Sequence, residues 1–133
     1  MTDTLHAAVE AIIRQFGAKL SEACGDTALI VDPVHVVEIA RILRDEYEFD
    51  TLLDITASDD YPQETPRFYV IYQLNSTTQN VLLRLRAPLN GNFPTIDTVE
   101  QVFLGANWYE REVFDMFGIR FEGNHDLRRI IMP

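Results

Sequence analysis

Two runs of strand-forming residues, Arg67 to Leu74 (RFYVIYQL) and Asn80 to Arg86 (NVLLRLR), are separated only by Asn75 to Gln79. A gap that short predicts an antiparallel hairpin. The first run is rich in aromatic and β-branched residues and alternates in part. The second alternates cleanly towards its end, with Leu83 and Leu85 on one side and Arg84 and Arg86 on the other. A third strand candidate, Phe49 to Thr56 (FDTLLDIT), precedes the pair, with a loop marked by Asp59-Asp60-Tyr61-Pro62 and Pro66 between.

Helical spacing dominates elsewhere. Leu5, Val9, Ile12, Ile13 and Phe16 recur at the period of a helix over Thr4 to Phe16, with Thr2 or Thr4 as cap and Gly17 as terminator. Ala28 to Val31 reads as a short strand. Asp32 then caps a second helix with Pro33 at its first position, and Val36, Val37, Ile39, Ala40 and Leu43 form its apolar face. Beyond the hairpin, Pro88 to Pro94 is a turn-rich linker. Thr95 to Phe103 reads as a helix broken at Gly105-Ala106-Asn107, Trp108 to Phe117 as a further helix stopped by Gly118, and Ile119 to Phe121 as a brief strand. Consecutive strands with helices to one side predict an α+β fold: two layers, a mostly antiparallel sheet, helices packed on one face.

Several function classes fall away on composition. At 133 residues and 47% hydrophobic, the chain suits one domain with a real core. No apolar run reaches the roughly 18 residues of a membrane span. Met1 to His6 has neither basic flank nor long apolar run, so no signal peptide is expected. Cys24 stands alone, which excludes an internal disulfide and a cysteine-ligated zinc or iron–sulfur site; it reads as a small semi-buried residue near a turn. Gly105, Gly118 and Gly123 are too dispersed to cradle a phosphate.

The net charge of −10 is unevenly placed: residues 1–66 carry 14 of the 21 acids and 4 of the 11 bases, and residues 67–133 carry 7 of each. The acidic half repels nucleic acid and anionic lipid. All but one of the bases, Lys19, are arginine, which tolerates partial burial and pairs with carboxylates in two-pronged fashion; the neutral second half suggests a protein contact surface.

The densest chemistry lies in Trp108-Tyr109-Glu110-Arg111-Glu112-Val113-Phe114-Asp115-Met116-Phe117-Gly118. On a helix, Trp108, Arg111, Glu112 and Asp115 share one face, while Tyr109, Val113, Met116 and Phe117 lie on another. Two readings stand. Arg111 and Asp115 form an ordinary surface pair worth a few tenths of a kcal/mol. Alternatively the charged row, Glu110 included, is partly buried and pairs with Arg128 and Arg129 downstream, because buried charges persist only when paired. Glu112 and Asp115 as metal ligands would need histidine nearby, and His6, His35 and His125 are dispersed.

The segment Glu110-Arg111-Glu112-Val113-Phe114-Asp115-Met116-Phe117-Gly118-Ile119, then Phe121-Glu122-Gly123 and Leu127-Arg128-Arg129-Ile130-Ile131, resembles the motif of the thirty-kilodalton subunit family of respiratory complex I. That motif runs ERE, two residues, an acid, two apolar residues, GI, a gap, then GHP-x-LRRIL. Phe49 to Ala57 is similar to that family's strand block, and Arg67 to Tyr72 with Leu83 to Arg86 to its hairpin, so the likeness covers residues 25 to 133. The family's His-Pro after the glycine is replaced by Asn124-His125, which still suits a turn, but no role of the family's histidine carries over to position 124.

The resemblance implies a subunit that is not catalytic by itself, in the peripheral arm of a proton-pumping NADH:quinone oxidoreductase, on the cytoplasmic side of the membrane. It implies no cofactor in this chain, with flavin, iron–sulfur clusters and quinone bound by partner subunits. The implied neighbour is a subunit of the forty-nine-kilodalton type. Equivalent subunits of membrane-bound nickel–iron hydrogenase, formate hydrogenlyase and non-NADH variants share the domain. Residues 122–133 would extend as a docking tail, locked by Trp108, Glu110, Arg111, Glu112 and Asp115 through Arg128 and Arg129.

Overall fold

The computed structural model describes residues 3–23, 26–62 and 66–124; Cys24 and residues 125–133 of the expected tail, His125, Arg128 and Arg129 included, lie outside the described residues, whereas Glu122 at its start ends a strand and Asn124 is buried. Helix α1 spans Asp3–Phe16, strands β1 and β2 span Lys19–Ala23 and Asp26–Ile30, and helix α2 spans Val36–Tyr47. Strands β3, β4 and β5 follow at Thr51–Asp59, Phe68–Ser76 and Val81–Leu89. The chain continues with β6 at Thr95–Asp97, helix α3 at Ala106–Phe117 and β7 at Arg120–Glu122.

The five-stranded sheet has the order β1-β2-β5-β4-β3. Only β2–β5 is parallel; β1–β2, β3–β4 and β4–β5 are antiparallel. The hairpin read from the sequence is β4–β5, in register from Phe68 opposite Leu89 to Ser76 opposite Val81. Alternation fixes its faces, since successive side chains point to opposite sides of a sheet. Phe68, Val70, Tyr72 and Leu74 on β4, and Leu83, Leu85, Ala87 and Leu89 on β5, are buried in one core with Leu5, Val9 and Ile12 of α1 and Ile39, Ala40 and Leu43 of α2. At roughly 1.5–3 kcal/mol for each large apolar side chain, this single core is the main term holding the fold.

Local signals act as read at several ends. The Asp32 side chain accepts from the Val34 N–H at 3.1 Å and, with Pro33, opens a short 3₁₀ turn over Pro33–His35 that leads into α2. Gly118 takes φ +72 and its N–H bonds Phe114 O at 2.9 Å, a left-handed cap that suits glycine.

Two expectations are corrected, and one element adds to the reading. Lys19–Ala23, which carries no strand signal of its own, is the edge strand β1, held by antiparallel pairing with β2. Thr95 to Phe103 is not a helix. Thr95–Asp97 is β6, paired in parallel with β7 so that Ile96 faces Phe121 and both are buried. The residues after it make a single turn, in which the N–H groups of Val102 and Phe103 both bond Val99 O. Ile96, Val99, Val102 and Phe103 mimic helical spacing, but the Thr98 hydroxyl accepts from the Glu100 N–H at 3.1 Å and caps the turn only from there, which leaves Ile96 ahead of the cap, extended and paired with Phe121. Met116, read as part of the apolar face of α3, is 78% exposed, because it lies well round the helix from the buried row.

Candidate functional site: the two faces of helix α3

Helix α3 packs against β3, and its buried row is Ala106, Glu110 and Val113, with Phe117 half-buried below them. Phe117 meets Phe68 edge-on at 6.4 Å between ring centroids. A carboxylate thus occupies a core position of the helix. Oε1 of Glu110 accepts from Asn124 Nδ2 at 2.8 Å and from the Thr98 hydroxyl, and Oε2 accepts from the Val99 N–H at 2.8 Å. Asn124 Nδ2 also lies 3.4 Å from Asn107 O. One carboxylate therefore ties α3 to the turn after β6 and to the second residue after β7.

Burial pushes the Glu110 carboxyl above the ordinary glutamate value; the bonds from Thr98, Val99 and Asn124 pull the other way, and the Glu100 charge adds to the rise. Tyr72, from β4, faces the same region. Its phenol is pushed well up, first by burial and then by the carboxylates of Glu110 and Asp97, and among the described residues its hydroxyl has no hydrogen-bond partner.

The opposite face of α3 is open. Trp108, Arg111, Glu112 and Asp115 lie along it with their side chains wholly or partly exposed, as their spacing on one side of the helix requires. The Arg111 guanidinium sits over the Trp108 ring at 5.7 Å, a cation–π contact along one turn. Trp108 remains 57% exposed, and Leu104, just before the helix, is fully exposed. Beside this row, Asp54, Ile55 and Thr56 of β3 and Glu112, Val113 and Met116 of α3 line a cleft of about 210 Å³.

The sequence-read residues therefore divide. Trp108, Arg111, Glu112 and Asp115 are brought together on an open face. Glu110 is not among them; it points into the core, where Thr98, Val99 and Asn124 satisfy its oxygens. Reading the charged segment as one unit missed this, although Glu110 stands four residues after Ala106 and three before Val113, within the apolar row. Arg128 and Arg129 lie outside the described residues. Among the described residues no cluster of three or more His, Cys, Asp or Glu is placed to hold a metal, and no helix is long and apolar enough to cross a membrane.

Residues 29–133 match the family model described as respiratory-chain NADH dehydrogenase, 30 Kd subunit. The chain is 44% identical to the C 2 subunit of NADH-quinone oxidoreductase from Rhizobium meliloti, covering 99% of this chain and 74% of that protein. It is 41% identical to the C subunit of NADH-quinone oxidoreductase from Trichlorobacter lovleyi, over 99% of this chain and 83% of the other. Among solved structures, the trypsin-resistant fragment (1-134) of Nqo5 superposes with a TM-score of 0.80 at 28% identity, over 91% of this chain and 97% of the fragment. A chain of the membrane-bound sulfane sulfur reductase, an archaeal respiratory membrane complex, shares the fold with a TM-score of 0.78 at 23% identity, over 93% of this chain and 74% of that one.

Proposed function

Because the chain belongs to the 30 Kd subunit family of respiratory-chain NADH dehydrogenase, we propose that it is a non-catalytic subunit of the peripheral arm of a proton-pumping NADH:quinone oxidoreductase. In this reading it docks on a subunit of the forty-nine-kilodalton type on the cytoplasmic side of the membrane. It binds no cofactor, and the flavin, iron–sulfur clusters and quinone belong to its partners. The observation that carries this is the open face of α3. Trp108, Arg111, Glu112 and Asp115, with the fully exposed Leu104 and the largely exposed Met116, form an apolar and charged surface in the segment most like the family motif. Aromatic and arginine side chains are the enriched components of protein interfaces. The one carboxylate of α3 with an environment suited to chemistry, Glu110, is occupied by three hydrogen bonds that serve the fold.

The tail after Asn124, anchored at the edge of this face by Arg128 and Arg129 pairing Glu112 and Asp115, would lie on the neighbouring subunit. The chain from 125 to 133 reaches about 30 Å when extended, against about 18 Å for the length of α3. The test is assembly. Glu112→Ala with Arg128→Ala is expected to release the chain from the peripheral arm on purification from native membranes; an intact arm overturns the docking role. The Rhizobium meliloti and Trichlorobacter lovleyi relatives, at 44% and 41% identity, are NADH-quinone oxidoreductase subunits, which favours that complex over hydrogenase-type assemblies.

A further inference from the structure

The sheet has a second face, turned away from α1 and α2, and its composition is not that of a solvated face. An antiparallel sheet with one wet side alternates apolar inward with polar outward. Here the outward positions are Tyr69, Ile71, Gln73 and Asn75 on β4 and Leu82, Arg84, Arg86 and Pro88 on β5, so that large apolar or aromatic side chains are interleaved with the polar ones. The strand registers place Thr56, Ile71, Arg86, Ile30 and Lys19 side by side in one row across all five strands. Arg86 stands near its centre. Its guanidinium lies over the Tyr69 ring at 4.5 Å, and no acid among the described residues pairs with it. Lys19 is exposed at the end of the row. In a chain of net charge −10, this is a local cationic strip set between apolar side chains.

Resting on the assembly role above, we propose that this open face is a second docking surface, and that its occupant is a carboxylate-bearing segment of a neighbouring subunit with Arg86 as its anchor. A guanidinium resting against an aromatic ring is partly ordered for two-pronged binding of a carboxylate and loses less freedom on pairing. Ile30 and Ile71, its cross-strand neighbours, supply the apolar area that excludes water around the pair. A second copy meeting it face to face would bring the same cations and be repelled. Nucleic acid is disfavoured by the overall charge.

The experiment places a photo-crosslinking amino acid at Ile71 on the open face, and separately at Glu38 on the outer side of α2, in the full chain expressed with its complex. The expected result is an adduct from position 71 to another subunit through an acidic peptide, with none from position 38. Co-purification of the chain with the arm and no adduct at 71, or an adduct at 71 with a second copy, overturns the inference while leaving the assembly role standing. Loss of co-purification of the unsubstituted chain overturns the assembly role itself. Arg86→Glu is expected to lower the yield of assembled complex at least about tenfold, and Arg86→Lys to lower it less. An unchanged yield for Arg86→Glu removes the anchor.

Discussion

Asn124 donates its side-chain amide to the buried carboxylate of Glu110 at 2.8 Å, joining the second residue after β7 to the first turns of α3. Through the same carboxylate, the Val99 N–H and the Thr98 hydroxyl fix the turn that leads from β6 into α3. The small β6–β7 sheet and the helix are thereby one unit, and the orientation of the open α3 face depends on it.

Glu110→Ala removes an acceptor from three donors and opens a cavity, so it is expected to cost about 3–5 kcal/mol. Glu110→Gln keeps the volume but turns amide hydrogens towards Asn124 or Thr98, for a smaller loss of about 1–3 kcal/mol. Urea unfolding of the chain measures both. Equal, near-zero effects would mean that the carboxylate is not a structural hub.

The rise in the Glu110 value sets a direction with pH. A carboxyl whose folded value lies above its unfolded one loses its proton more readily in the unfolded chain. Its contribution is fully present below the ordinary glutamate range and is lost as pH rises through the folded value. The stability of the native chain relative to Glu110→Gln should therefore fall across that window, read as urea midpoints at a series of pH values. A gap that widens in favour of the native chain as pH rises contradicts the direction.

Tyr72→Phe deletes a buried hydroxyl that lacks a partner among the described residues. It is expected to be neutral or to stabilise by up to about 1 kcal/mol, because an unpaired buried polar group costs free energy. A clear loss on thermal unfolding would reveal a bond the hydroxyl makes in solution.

Trp108→Ala alters an exposed side chain and should change stability by no more than about 0.5 kcal/mol. Assembly should suffer far more, since interface aromatics carry a large share of binding. Urea unfolding and co-purification from membranes separate the two effects. Full assembly of the variant would remove Trp108 from the docking face.

Asp50 accepts from the Thr77 N–H at 3.1 Å and from the Thr77 hydroxyl at 2.6 Å, pinning the β4–β5 turn to the start of β3. These bonds, the hydroxyl's first, lower its carboxyl below the ordinary aspartate value. The stabilisation is present above the unfolded value and lost as pH falls through the folded one. Asp50→Ala should lower Tm at neutral pH by less than Glu110→Ala does, and the gap to the native chain should close in acid.

Much of this was legible because it is local. The β4–β5 hairpin follows from alternation across a short gap. The Gly118 stop and the Asp32–Pro33 start follow from backbone chemistry that needs no distant partner. The row Trp108, Arg111, Glu112 and Asp115 follows from helical spacing alone. Strand β1 was not legible, since Lys-Leu-Ser-Glu-Ala has little strand preference and exists as a strand through β2. Nor was β6, whose apolar spacing suits a helix equally well until Phe121, from the far side of α3, offers Ile96 a parallel mate.

The α+β class, the central hairpin, the family and the outward face of α3 can be read from the residues alone, because each rests on near neighbours or on a long shared motif. That Glu110 belongs to the core and not to the charged surface follows only from packing. A carboxylate can occupy a core position only where Thr98, Val99 and Asn124 converge on it, and that convergence requires β6, β7 and α3 to be packed together first.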